Sequence, residues 1–74
     1  MPVEIVAAGF LKPLLPEGKV ALNAAGRSID QALTELGVDT DLVAMVLVNG
    51  RQVPKNAILQ DGDLVKLIPF IGGG

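Results

Sequence analysis

Cysteine, histidine, tryptophan and tyrosine are all missing from this chain. Without cysteine there is neither a disulfide staple nor a thiolate nucleophile, and the reducing cytoplasm is the expected compartment. The lack of histidine also removes the usual ligands of zinc, copper and haem iron, so no bound metal or cofactor is expected. Aromatic residues are limited to Phe10 and Phe70, which leaves Val, Leu, Ile and Ala to fill the core of a 74-residue chain. A domain of this size buries only about 60% of its unfolded surface. A catalytic pocket is hard to fit beside so small a core, and an enzyme is not expected.

No apolar run approaches the roughly 20 residues that span a bilayer. Met1, Pro2, Val3 and Glu4 lack the basic start and apolar stretch of a signal peptide, so neither a membrane partner nor processing at that end is expected. Lys12, Lys19, Arg27, Arg51, Lys55 and Lys66 are scattered against eight acidic residues, for a formal net charge of −2. They form no basic stripe for phosphate backbones, and nucleic acid is not an expected partner.

Hydrophobic patterning divides the chain into short elements. Val3 to Ala8 reads as a strand with Val3, Ile5 and Ala7 on one side. Gly9 to Gly18, with Pro13 and Pro16, reads as a connecting loop with one helical turn around Leu11 to Leu15, and Lys19 to Asn23 as a second strand. Ser28 and Gln31 are spaced as a capping box, so a helix is predicted from Ile29 to Leu36, its apolar face Ile29, Ala32, Leu33 and Leu36. Gly37 supplies a left-handed stop. Ala44 to Val48 runs into Asn49-Gly50, the pair favoured in type I′ hairpins, and Arg51 to Val53 returns as a short strand ended by Pro54. After apolar Ile58 and Leu59 and the turn at Asp61-Gly62, Leu64 to Ile68 forms the last strand.

Strand, strand, helix, strand, short strand, strand is the order of an α+β β-grasp domain: a mixed sheet with one main helix packed on one face. One such domain is expected over residues 1–74, ending in a flexible glycine tail. The inward residues are then Val3, Ile5, Ala7, Val46, Val48, Val53, Val65 and Leu67. A two-residue turn at Asn49-Gly50 sends Met45, Leu47 and Gln52 outward, and Lys66, which must face water, takes Leu64 and Ile68 with it. Val6, Met45, Leu47, Leu64 and Ile68 form an outer apolar patch, expected to be ringed by Glu4, Gln52 and Lys66. A patch of that size reads as a docking surface, unless the Gly9 to Gly18 loop folds across it or sheet twist disperses it.

The body of the chain offers little chemistry. Asp39-Thr40-Asp41 and Asp61-Gly62-Asp63 pair carboxylates on loops, but neither has the six or more oxygens that calcium requires; turn chemistry accounts for them. Ser28 has a capping role and no matching base. Gly72, Gly73 and Gly74 make sense as a substrate: without side chains they can enter a narrow channel in another protein and present a carboxylate there. That carboxylate is ionised at neutral pH and inert toward nucleophiles until a partner activates it. Phe70 and Ile71 lie directly before the glycines as apolar anchors.

Leu14-Leu15-Pro16-Glu17-Gly18, the hairpin Leu47-Val48-Asn49-Gly50-Arg51-Gln52-Val53-Pro54, and Asp61-Gly62-Asp63 followed by Val65, Leu67, Ile68, Pro69 and the glycines are similar to segments of one family. Over nearly its whole length the chain resembles the ThiS/MoaD family of ubiquitin-like sulfur carriers of thiamin and molybdopterin biosynthesis. That resemblance implies that an ATP-dependent, E1-like adenylating enzyme activates the carboxylate of Gly74. Sulfur from a donor system then converts it to a thiocarboxylate for a sulfur-accepting synthase subunit, either the molybdopterin synthase large subunit or thiazole synthase. It also implies that the carrier binds no cofactor itself, ATP being used by the partner, and is a monomer when free. Gly73 and Gly74 match the family's glycine pair; Gly72 is a third. Docking falls to Leu47, Ile68, Phe70, Ile71, Val6 and Met45, with Gly72 and Gly73 needed for the partner's channel. Two other functions share parts of this design: a protein modifier conjugated through Gly74 to lysines, and a non-covalent binding module with an inert tail.

Overall fold

The computed structural model describes residues 1–70. They form the expected mixed sheet, with five strands in the order β2-β1-β5-β3-β4. β1 is Val3–Ala7, β2 Lys19–Leu22, β3 Val43–Val48, β4 Arg51–Val53 and β5 Leu64–Pro69. The first and last strands lie side by side and parallel, and every other neighbouring pair is antiparallel. β5 is consequently the central strand.

Local chemistry sets the boundaries of the helix, α1, over Ile29–Glu35. The Gln31 amide donates to Ser28 Oγ at 3.2 Å and the Ser28 amide to Gln31 Oε1 at 2.9 Å, which completes the capping box. Two more amides of the first turn, on Ile29 and Asp30, donate to the carbonyls of Ala57 and Lys55 in the strap between β4 and β5. At the other end the Val38 amide donates to the Leu33 carbonyl and the Gly37 amide to that of Thr34, with Gly37 at φ +78°. This is a Schellman motif, and glycine accepts its left-handed residue without a Cβ penalty. The helix stops at Glu35, so Leu36 lies past the last turn and is half-buried instead of fully buried as expected.

The hairpin follows the predicted register, with Val48 opposite Arg51, Leu47 opposite Gln52 and Val46 opposite Val53. Asn49 and Gly50 both take positive φ, at 52° and 85°, as a type I′ turn requires. Asn49 does more than turn the chain. Its amide Nδ2 donates to Asp63 Oδ1 at 3.0 Å and its Oδ1 accepts from the Leu64 amide at 3.0 Å, tying the hairpin to the start of β5. Asn49→Gly keeps the turn conformation but loses both bonds. It should lower stability by about 1–2 kcal/mol, read as the shift in urea midpoint against wild type.

The inner sheet face packs on the helix. Val3, Ile5, Ala7, Val43, Val46, Val65 and Leu67 meet Ile29, Ala32 and Leu33, joined by Leu11, Leu15, Ala24, Val38 and Leu59. No polar or charged side chain is buried there. Val48 and Val53, expected inside, are only half-buried, because β4 is a three-residue edge strand and the hairpin ends near it. Val43 enters the core through a β-bulge: Val43 faces Pro69 and Met45 faces Ile68, which leaves Ala44 unpaired and lets residues two apart face opposite ways. The Gly9 to Gly18 loop contains two 3-10 turns, Gly9–Leu14 and Pro16–Gly18. Its Leu11 and Leu15 join the core, which places it against the helix-side layer and not across the outer sheet face.

Candidate functional site

The outer face can be followed strand by strand through its register. One row crosses the whole sheet, Lys19 on β2, Val6 on β1, Lys66 on β5, Leu47 on β3 and Gln52 on β4. The row toward the start of β5 carries Ala21, Glu4 and Leu64, and the row toward its end carries Ile68 and Met45. Val6, Met45, Leu47 and Ile68 are thus brought together, each half-buried, with Leu64 exposed beside them. Phe70 follows β5 directly and is 61% exposed. Ile71, Gly72, Gly73 and Gly74 lie outside the described residues.

The expected rim is corrected in one respect. Gln52 lies at the sheet edge, but Lys66 stands at the centre of the patch, with Val6 and Leu47 on the adjacent strands and Leu64 and Ile68 two residues away on its own. The reason is topological: β5 is the middle strand, and its pairings to β1 and β3 cannot be inferred from the pattern within β5. A second exposed aromatic, Phe10 at 56%, was also not foreseen as part of a surface. Gly9, the residue before it, approaches the end of β5 so closely that a Cβ there would lie 3.1 Å from Pro69 Cγ. Phe10 and Phe70 each follow one member of that contact, so both mark the sheet end toward which β5 runs.

The loop carboxylates are occupied with turn geometry. Asp39 Oδ1 accepts from the Asp41 amide at 2.9 Å, and Asp63 accepts from the Gln60 amide at 2.9 Å as well as from Asn49. Asp61 lies 3.8 Å from the N-terminal ammonium. Among the described residues, no group of three or more acidic side chains is placed to hold a metal ion, and no helix is long and apolar enough to cross a membrane. A depression of about 490 Å³ on the solvent side of α1 is lined by Arg27, Asp30, Gln31, Thr34 and Glu35. Arg27 and Glu35 pair with each other there.

The fold is similar to SAMP1 from Haloferax volcanii, with a TM-score of 0.73 at 20% identity over 100% of both chains. It is also similar to a chain in the complex of subunits 1 and 2 of the molybdopterin-converting factor from Helicobacter pylori 26695, with a TM-score of 0.66 at 25% identity over 100% of both chains. No curated protein matches the chain. The model of the ThiS family matches residues 9–74, the glycine end included. The chain therefore belongs to the ThiS family, among the ubiquitin-like sulfur carriers of the ThiS/MoaD type.

Proposed function

We propose that this protein carries sulfur as a thiocarboxylate on Gly74 for molybdopterin or thiamin (thiazole) biosynthesis. The observation that carries the reading is that the family match runs through residue 74, so that the glycine end lies within the stretch matched to a family of carriers. The chemistry follows from what a carboxylate lacks. One Gly74 oxygen attacks the α-phosphorus of ATP on an E1-like adenylating enzyme, pyrophosphate leaves, and the acyl adenylate now has a good leaving group. Sulfur drawn from a persulfide displaces AMP, and a thiol reduces the remaining S–S bond to leave the thiocarboxylate. The carrier supplies reach and docking, and ATP and the catalytic groups belong to the partner.

The recipient is read as a synthase subunit that accepts the tail. The similarity to a chain seated in a two-subunit molybdopterin-converting factor supports that class of partner. Such exchange takes place in the cytoplasm. Mass spectrometry of the protein isolated from its own cells tests the reading: a thiocarboxylate at Gly74 supports it, whereas Gly-Gly remnants on lysines of other proteins would replace it with a conjugated modifier.

Docking is assigned to Val6, Met45, Leu47 and Ile68 on the outer sheet face, continued by Phe70 and Ile71. Leu47→Asp adds a charge to a half-buried outer position that does not belong to the core. It should reduce affinity for the adenylating enzyme by about 30-fold or more, as for a central interface residue, with the far-UV circular dichroism of the free protein unchanged. Equal affinity of variant and wild type would remove this face from the interface.

A further inference from the structure

Lys66 is an unusual residue to find in the middle of an apolar docking face. Its neighbours across the strands are Val6 and Leu47, and its neighbours along β5 are Leu64 and Ile68. Among the described residues the ion pairs are Met1 with Asp61 and Arg27 with Glu35, so no carboxylate is paired with Lys66, Glu4 one register step away included. In the free protein this arrangement is comfortable. The aliphatic stem lies among apolar neighbours and the ammonium stays in water, since Lys66 is exposed.

Docking changes that balance. β5 is central, so two strand spacings, about 10 Å, separate Lys66 from the sheet edge on either side. An ammonium covered there by a partner cannot bend out to the rim past Val6 or Leu47. Desolvating an unpaired charge is strongly unfavourable, whereas a charge that meets a carboxylate in good geometry is tolerated and becomes selective. Resting on the carrier reading above, we propose that Lys66 determines partner specificity. The protein that receives this face presents an apolar surface with one carboxylate at its centre, seated against the Lys66 ammonium. Partners with a wholly apolar centre are rejected because they would bury the lysine unpaired.

The sign of one substitution decides the matter. Lys66→Met keeps the length and apolar stem while removing the charge. If the face needed only apolar area, methionine would tighten binding; if a partner carboxylate sits there, methionine leaves that carboxylate buried and unpaired. Calorimetric titrations against the E1-like adenylating enzyme encoded in the same genome, at low and high salt, should show Lys66→Met about 30-fold or more weaker than wild type. Lys66→Glu should be weaker still, and Lys66→Arg should retain most of the affinity. Wild-type binding should weaken with salt, and Lys66→Met binding should be nearly flat. All variants should melt with wild type, because the position is exposed. Lys66→Met binding as tightly as wild type, or more tightly, would overturn the inference and leave the carrier reading standing. A wild type that neither binds the enzyme nor becomes adenylated by it would overturn both.

Discussion

Leu33→Ala should lower stability by about 2–5 kcal/mol and the melting temperature by about 10 °C or more. Leu33 has no exposed surface and sits with Ile29 and Ala32 on the face of α1 that covers the sheet. The helix is only seven residues long, too short to persist on intrinsic propensity, so its order depends on that face. Removing three carbons leaves a cavity among Ile5, Val46, Val65 and the other core residues, which cannot close without moving strands. A chain of this size has a total stability of only about 4–11 kcal/mol, so the loss is a large part of the whole. Thr34→Ala, on the exposed side of the same helix, serves as the control and should shift the melt little. If the two variants melted alike, the packing of α1 on the sheet would be wrong.

Deletion of Gly74 should abolish adenylation while leaving fold and docking intact. An activating enzyme has to hold the carboxylate in line with the α-phosphate of ATP, and effective molarity depends on that placement. Losing one extended residue withdraws the carboxylate by about 3.5 Å, more than an attack geometry tolerates. The docking face proposed above lies on β5 and its neighbours, which the deletion does not touch. Binding of the enzyme by the deleted chain should therefore match wild type, and release of pyrophosphate from ATP should fall to background. Full adenylation of the deleted chain would show that the reactive group lies elsewhere.

What the sequence revealed depended on how far each determinant acts along the chain. Ser28 and Gln31 are three residues apart, and Asn49 and Gly50 adjacent, so their chemistry fixed a helix start and a hairpin register that the structure reproduces. The alternation in β1 and β5 likewise placed Val3, Ile5, Ala7, Val65 and Leu67 inside. Features made by distant pairing were not visible. Val43 enters the core only because β3 bulges against β5, and Lys66 becomes central only because β5 inserts between β3 and β1, whose residues lie 60 positions away from their β5 partners. Ile58 and Leu59 looked alike as apolar filler, yet Ile58 is 59% exposed and Leu59 is buried. The Leu59 amide is held by the Arg27 carbonyl across the fold, a contact with no local signature. The outer patch was legible as a set of residues, and its arrangement around a charge was not.

The most direct test of the sulfur-carrier reading is the intact mass of the wild-type protein after incubation with ATP, the E1-like adenylating enzyme and a persulfide donor with a thiol reductant. A gain equal to the difference between one sulfur and one oxygen, dependent on ATP and lost when Gly74 is deleted, is the predicted result. An unchanged mass with an enzyme that binds the protein and consumes ATP in its presence would contradict it.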